Sequence, residues 1–302
     1  MIEITFLGTV SGVPTRDRNH PAIALEYYGE GKDTLLFDCG EGTQKQLMIS
    51  GISFMRINKI FITHWHADHF AGLIPMIQTM NLEKRKHDLK IFGPEAERFV
   101  EDIIDLGYFG LRFPVEAINV PFEGSEVTLI DETEDYQIFS SPMLHTVPTT
   151  AFCFQEKTKW SVDTKKLKEM GIKTGFWLKK LKKDGKAEYK GKMIKLEDVS
   201  VPKSGLKVVY SGDTKPNENM LKLAKDADLL IHDGTFLEED ENKGHTDVKA
   251  AAKLAKKANV KELILTHFSR RYTDLKELDE EAKKYFKNTK LAHDFMKVKL
   301  KS

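Results

Sequence analysis

Cysteine is almost missing from the 302 residues: Cys39 and Cys153 are the two present. Two thiols are too few for a disulfide framework or a thiolate cluster, so stability has to come from a packed core and any metal from imidazole and carboxylate. No apolar run approaches the ~18 residues that cross a bilayer. The longest near-apolar stretch, residues 70–77, is broken by Gly72 and Pro75. The opening Met1-Ile2-Glu3-Ile4-Thr5-Phe6 has no basic leader and reads as a strand, so no signal peptide and no membrane partner are expected, and a cytoplasmic location is. Long-period repeats and low-complexity tracts are absent too, apart from an excess of lysine over arginine, 39 to 8. That excludes solenoids and collagen-like chains.

What is present fits a globular fold. Hydrophobic residues make up 40% and charged residues 31%, enough for a core in one large α/β unit. The net charge of +1 conceals an uneven distribution. Residues 157–195 hold fourteen lysines against four carboxylates, and the rest of the chain is net acidic by 9. A basic module on an acidic body bears on partners, because lysines release counterions when they meet phosphates. The alternative is a solvated lysine-rich loop.

Three stretches differ in character. Strand-rich runs at 2–7, 22–28, 34–38 and 59–63 are followed by helical patterns at 42–50, 67–80 and 95–106, the last opening after Pro94. Further strands are expected at 89–92, 115–121, 126–130 and 136–144. Residues 155–204 are lysine-dense and glycine-punctuated, with Trp160, Phe176, Trp177 and Tyr189 interleaved. They are too polar for a large core of their own and read as an insertion. Alternation then returns, with strands at 207–211, 229–232, 261–266 and 295–300 and helices at 247–258 and 274–286.

The strongest chemical signal is Thr63-His64-Trp65-His66-Ala67-Asp68-His69, directly after the apolar strand 59–63. Imidazoles and carboxylates are the ligands zinc takes when thiolates are lacking. Four donors within six residues are too crowded for one tetrahedral ion, and dividing them between two metals is their natural use. His145, Asp213 and His267 each follow a strand as well, which makes them candidate ligands or acid/base groups. His87 and His293 read as surface residues, His20 as a loop cap and His232 as packing, while the two cysteines read as buried thiols.

The motif, with separated His, Asp and His at later strand ends, resembles the metallo-β-lactamase superfamily and, within it, the ribonuclease Z family of tRNA 3′-processing endonucleases. The similarity extends through residues 6–19, Phe37-Asp38-Cys39-Gly40-Glu41-Gly42-Thr43-Gln44, residues 209–214, Gly244-His245-Thr246 and residues 266–272. It implies a four-layer αββα sandwich covering 1–302, with a tRNA-binding arm inserted at about 155–204. It implies two zinc ions per subunit, manganese being the open alternative, with His64, His66 and His145 on one, Asp68, His69 and His267 on the other, and Asp213 bridging. Asp68 would also accept a proton from water. His245, supported by Asp233, would serve the leaving oxygen as a general acid. Arg271 and Arg270 would contact phosphate, and Lys179, Lys180, Lys182 and Lys183 of the arm would grip precursor tRNA. A homodimer is implied as well.

Two departures stand out. His232-Asp233-Gly234-Thr235 replaces the family's frequent His-Glu-Ala-Thr, and Gly171-Ile172-Lys173-Thr174-Gly175 lacks the proline-richer arm motif. Two rival readings are a small-substrate hydrolase of the same superfamily and a noncatalytic RNA-binding protein on an inert hydrolase scaffold.

Overall fold

The computed structural model describes every residue except 30, 108, 109, 239–243 and 302. The chain divides into two compact units, Met1–Gln155 with Lys207–Lys301, and Glu156–Leu206.

The larger unit carries two seven-stranded sheets. In the first the strands run in the order Lys297–Leu300, Ile2–Gly8, Ala22–Tyr28, Lys32–Phe37, Ile57–Phe61, Leu89–Gly93, Val115–Asn119. In the second the order is Thr289–Leu291, Glu262–Thr266, Leu229–Asp233, Lys207–Tyr210, Thr150–Glu156, Tyr136–Pro142, Thr128–Glu132. Successive side chains of a strand face opposite ways, and both faces here are apolar. Phe37 and Phe61 stack at 5.1 Å and Phe61 and Phe92 at 4.8 Å, each pair directly opposite across parallel strands. From the second sheet, Phe152 packs on Phe37 and Phe61, and Tyr136 and Phe154 pack on Tyr27. An aromatic layer therefore fills the space between the sheets.

The intervening residues build the two outer cores. Leu36, Ile60, Ile62 and Ile91 pack with Leu47, Met76, Met80, Val100 and Ile103 from helices Thr43–Ser50, Leu73–Leu82 and Ala96–Gly107. Cys153, Val209, Leu230 and Leu263 pack with Met220, Leu223, Ala251, Ala255 and Leu278 from helices Glu218–Ala224, Val248–Lys257 and Lys276–Tyr285. The layers run helix, sheet, sheet, helix, the αββα sandwich.

Several expected elements differ in detail. The single helix over 67–80 is two, Ala67–Phe70 and Leu73–Leu82, because the chain at Gly72 lies against the backbone of Cys39–Gly40. The Gly72 amide donates to the Cys39 carbonyl at 2.9 Å, and a Cβ there would sit 2.2 Å from the Gly40 oxygen. The strand at 126–130 forms two residues later, as Thr128–Glu132. Thr150–Glu156, Glu218–Ala224 and Thr289–Leu291 are elements the patterns do not announce.

Glu156–Leu206 has its own small core of Leu167, Ile172, Leu181, Ala187, Ile194 and Val199. Asp163 caps the helix Thr164–Glu169 by accepting from the amides of Lys165 and Lys166. Strand Lys159–Val162 pairs with Ser200–Lys203, and Lys186–Tyr189 with Lys192–Lys195 through a turn at Lys190-Gly191, both left-handed. Helix Trp177–Asp184 buries Leu181 and leaves Lys179, Lys180, Lys182 and Lys183 exposed.

Candidate metal centre

Within the larger unit, the carboxyl ends of parallel strands in both sheets point the same way, the usual place for a site in open α/β sheets. Lys32–Phe37 ends at Asp38, and Ile57–Phe61 leads into the histidine-rich turn. Lys207–Tyr210 leads to Asp213, Leu229–Asp233 ends on Asp233, and Glu262–Thr266 delivers His267. His66 stands in extended conformation at the N-cap of Ala67–Phe70, which puts Asp68 and His69 in the turn that follows.

The side chains converge. His66 Nδ1 lies 3.0 Å from His64 Nε2 and 3.3 Å from His145 Nε2. His69 Nε2 lies 3.3 Å from His267 Nε2 and 3.7 Å from Asp68 Oδ2, and His267 Nε2 lies 3.5 Å from Asp68 Oδ2. Asp213 Oδ2 stands between the two groups, 3.7 Å from His64 Nε2 and 3.3 Å from His69 Nε2. Among the described residues four donor groups could hold a metal: His64–His66–His145, Asp68–His69–His267, His64–His69–Asp213 and Asp213–Asp233–His245–His267, the last including the His245–Asp233 pair.

The hydrogen bonds behind the rings decide what the cluster can hold. His69 Nδ1 donates to Asp38 Oδ2 at 2.8 Å, and His145 Nδ1 to the Gly244 carbonyl at 2.8 Å. Thr63 and Thr235 give their hydroxyl protons to Asp38 and Asp233, so their oxygens accept from His64 Nδ1 at 3.1 Å and His267 Nδ1 at 3.0 Å. Each of these four rings thus carries its proton outward and presents a bare Nε2 lone pair inward, the tautomer a metal requires. Among the described residues Asp213 Oδ1 is buried without a hydrogen-bond partner, its contact with a ring nitrogen being His267 Nδ1 at 3.3 Å, and a cation would satisfy it. On both counts the residues fit a centre of two cations.

Electrostatics agree with that geometry at His64 and His145, whereas His69, charged by its carboxylate neighbours, has to give up its Nε2 proton for a cation to bind there. Burial pushes the pKa of His64, His66 and His145 down, keeping them neutral. Burial opposes ionisation of Asp68, but His69 and His267 outweigh it and hold the carboxyl far below its usual range. At His69 burial is likewise outweighed, here by Asp213, Asp38 and Asp68, and the ring is pushed well up. His245 Nδ1 donates to Asp233 Oδ2 at 3.0 Å and lies 3.7 Å from Asp213, and although burial disfavours its charge, these carboxylates raise it to about 9. Asp233 reaches His245 despite being shorter than a glutamate.

The remaining expected residues fall as follows. Arg271 is exposed, its guanidinium 4.7 Å from the centroid of Phe236, whose ring packs edge-on against His245 at 5.9 Å. Arg270 is exposed beside it, and the four arm lysines lie in the second unit. His20 does not cap a loop: it is buried, and among the described residues neither ring nitrogen is hydrogen-bonded, Nδ1 lying 3.7 Å from Glu41 Oε2. His232 is buried, His87 and His293 are exposed, and both cysteines are buried thiols.

Sequence reasoning gave no role to Asp38 or Thr235, which orient His69 and His267, nor to the Gly12 amide, which donates to Asp68 Oδ2 at 2.8 Å. Asp38 and His267 sit at φ 55° and 63°, a left-handed conformation that costs about 1–3 kcal/mol away from glycine and clusters at functional sites. The aspartate followed by Cys39-Gly40 at a strand end is the one trace of this in the sequence.

Residues 2–105 match the family described as anti-Pycsar protein Apyc1, and residues 196–268 the β-lactamase superfamily domain. Ribonuclease Z of Methanothermobacter thermautotrophicus is 42% identical over 308 residues, spanning 100% of this chain and 98% of its own. Ribonuclease Z of Pyrococcus abyssi is 40% identical over 307 residues, spanning 100% and 97%. Among solved structures, the short form of human tRNase Z matches with a TM-score of 0.71 at 27% identity, over 99% of this chain and 100% of that one. With such identity sustained from end to end of both chains, on the αββα fold and around a two-cation donor set, the chain belongs to the ribonuclease Z family, nucleases of the metallo-β-lactamase superfamily.

Proposed function

We propose that the protein removes the 3′ trailer from precursor tRNA, cutting after the discriminator nucleotide to leave a tRNA 3′-hydroxyl and a trailer 5′-phosphate, with two zinc ions in its centre. The observation that carries this reading is the pair of donor sets, His64–His66–His145 and Asp68–His69–His267, with Asp213 Oδ2 within 3.7 Å of His64 and 3.3 Å of His69, in a chain whose full-length relatives are named ribonuclease Z.

His64, His66 and His145 would hold one cation and Asp68, His69 and His267 the other, with Asp213 between. The chemistry such a pair supplies when bound is neutralisation of charge on a phosphodiester and a water ready to attack at neutral pH. Asp68, the one carboxylate of the histidine-rich turn, receives the proton of the attacking water. His245 gives a proton to the leaving 3′ oxygen. Asp233 holds the ring by Nδ1, so Nε2 is the atom that faces the substrate, and the carboxylate favours the protonated form needed before bond cleavage. Arg271, steadied over Phe236, offers a guanidinium fork to a phosphate beside the cut, with Arg270 adjacent. Lys179, Lys180, Lys182 and Lys183 would bind the tRNA backbone by charge and shape, which suits many substrates with little common sequence. A cytoplasmic homodimer completes the reading.

A comparison of substrates tests it. The protein should cleave precursor tRNA with kcat/KM far above that for a small chromogenic phosphodiester, and both activities should disappear with chelator. Turnover of the small diester alone would replace the tRNA reading with that of a small-substrate hydrolase. RNA binding without turnover of either would leave a binding protein.

A further inference from the structure

A backbone amide holds the oxygen of Asp68 that faces the histidines. Gly12 N–H donates at 2.8 Å to Asp68 Oδ2, the same oxygen that lies 3.5 Å from His267 Nε2 and 3.7 Å from His69 Nε2. Gly12 sits at φ 64° in an exposed segment, residues 12–17, and no atom of the described residues lies within 4 Å of where its Cβ would be. Packing at Gly12 therefore does not hold the amide on target. Inside the loop the Val13 amide donates to the Ser11 carbonyl at 2.7 Å around Gly12 and the Thr15 amide to the Arg18 carbonyl at 3.0 Å, so the turn keeps its own shape and the base of the loop sets where it points.

Both ends of that loop are tied to one side chain. Asp294 Oδ1 accepts from the Thr9 hydroxyl at 2.8 Å, and Asp294 Oδ2 accepts from the Asn19 amide at 2.7 Å and from Gln46 Nε2 at 3.1 Å. The Thr9 and Val10 amides in turn donate to the Asn19 carbonyl at 2.9 and 3.1 Å, closing the base. Just beyond, Val10–Ser11 pairs in parallel with Phe268–Ser269, the residues directly after His267. A half-buried carboxylate from the segment before the last strand thus clamps a loop that starts beside His267 and ends on Asp68. Nothing in the reaction itself uses Asp294.

We propose that Asp294 is a positioning residue that, by clamping both ends of the loop 9–19, holds the Gly12 amide on Asp68 and so fixes which carboxylate oxygen faces His69 and His267. The proposal rests on Asp68 being a ligand and proton acceptor. Losing the clamp should weaken the cation site of Asp68, His69 and His267 while leaving that of His64, His66 and His145 intact, and should slow the chemical step more than it weakens RNA binding. Residues one layer behind a metal ligand typically matter about 10- to 100-fold.

The test titrates zinc chloride into metal-stripped wild-type, Asp294→Ala, Asp294→Asn and Thr9→Val protein by calorimetry, with kcat and KM measured on precursor tRNA. In Asp294→Ala the affinity for one of two zinc equivalents, and kcat, should each fall by about 10- to 100-fold, with KM changed less than about threefold. Asp294→Asn can still offer an oxygen to the Asn19 amide and an NH2 to the Thr9 hydroxyl, so it should recover most of both. Thr9→Val unties one end only and decides the matter if Asp294→Ala fails to fold: one zinc equivalent should weaken and kcat fall, each by less than in a full loss of the clamp. Wild-type zinc binding and kcat in a folded Asp294→Ala or in Thr9→Val would overturn the proposal, as would equal weakening of both zinc equivalents. If the wild-type protein does not cleave precursor tRNA, the functional reading fails separately, and the zinc titration still decides whether the clamp acts.

Discussion

At the scale of single residues, the centre depends on what stands behind each imidazole. Asp38 takes the Nδ1 proton of His69 and also accepts from Tyr210 OH at 2.7 Å and from the Thr63 amide and hydroxyl, so one buried carboxylate fixes one ring and joins the two sheets. Thr235→Val removes the hydroxyl that His267 Nδ1 uses and that donates to Asp233. It should lower zinc affinity by about 10- to 100-fold with little change in fold, and wild-type affinity would contradict the tautomer argument. In the metal-stripped protein the raised pKa of His245 stabilises the charged form of the folded state. That contribution is fully present below its ordinary value of 6.5 and is lost as pH rises through about 9. Denaturation of the stripped protein across this window should show stability falling with pH, and His245→Gln should flatten the fall. Burial pushes the thiol of Cys153 up to about 12 and that of Cys39 higher, so neither should react with a thiol reagent at pH 8 until the protein is unfolded, as mass spectrometry after labelling would show. His145, Asp213 and His267 were legible only beside the run His64–His69, because a lone histidine or aspartate after a strand is more often a cap or surface residue. Asp38 and Thr235 were not, since ordinary-looking residues acquire these roles through partners 31 and 32 positions away.

At the scale of elements, strand patterns served where one face meets helices and the other an aromatic layer with clear turn signals between. They failed for Thr150–Glu156, buried on both faces and nearly continuous in its apolar character, because such a run lacks the alternation that marks a half-buried strand. Glu218–Ala224 has seven residues and Thr289–Leu291 three, too few to show a period. The break at Gly72 has a sequence trace in Gly72 and Pro75, the latter in the first turn of Leu73–Leu82, but its position is set by the backbone of Cys39–Gly40, far away in sequence. The lysine-dense stretch was legible in charge but not in structure, since its six core residues are scattered over thirty-three positions from Leu167 to Val199. Leu181 is fully buried there. Leu181→Ala should cost about 2–5 kcal/mol, seen as lost amide-exchange protection within 156–206. Unchanged protection there would mean that the small core does not hold this unit together.

At the scale of the whole molecule, a near-neutral chain separates into a basic unit and an acidic body with a metal centre. Under the proposed function the basic unit supplies affinity for the RNA and the acidic body the chemistry. Replacing Lys179, Lys180, Lys182 and Lys183 by alanine should weaken precursor-tRNA binding and flatten its dependence on salt, by roughly 0.7–0.9 in the log–log slope for each phosphate that is no longer neutralised. Hydrolysis of a small diester should stay unchanged. The most direct measurement is the cleavage of end-labelled precursor tRNA by the zinc-loaded protein beside Asp68→Ala, with the product ends mapped. The account predicts a single chelator-sensitive cut after the discriminator nucleotide, leaving a 3′-hydroxyl on the tRNA, and its loss in Asp68→Ala with tRNA binding retained. An uncut substrate under added zinc or manganese, or a cut that survives in Asp68→Ala, would contradict it.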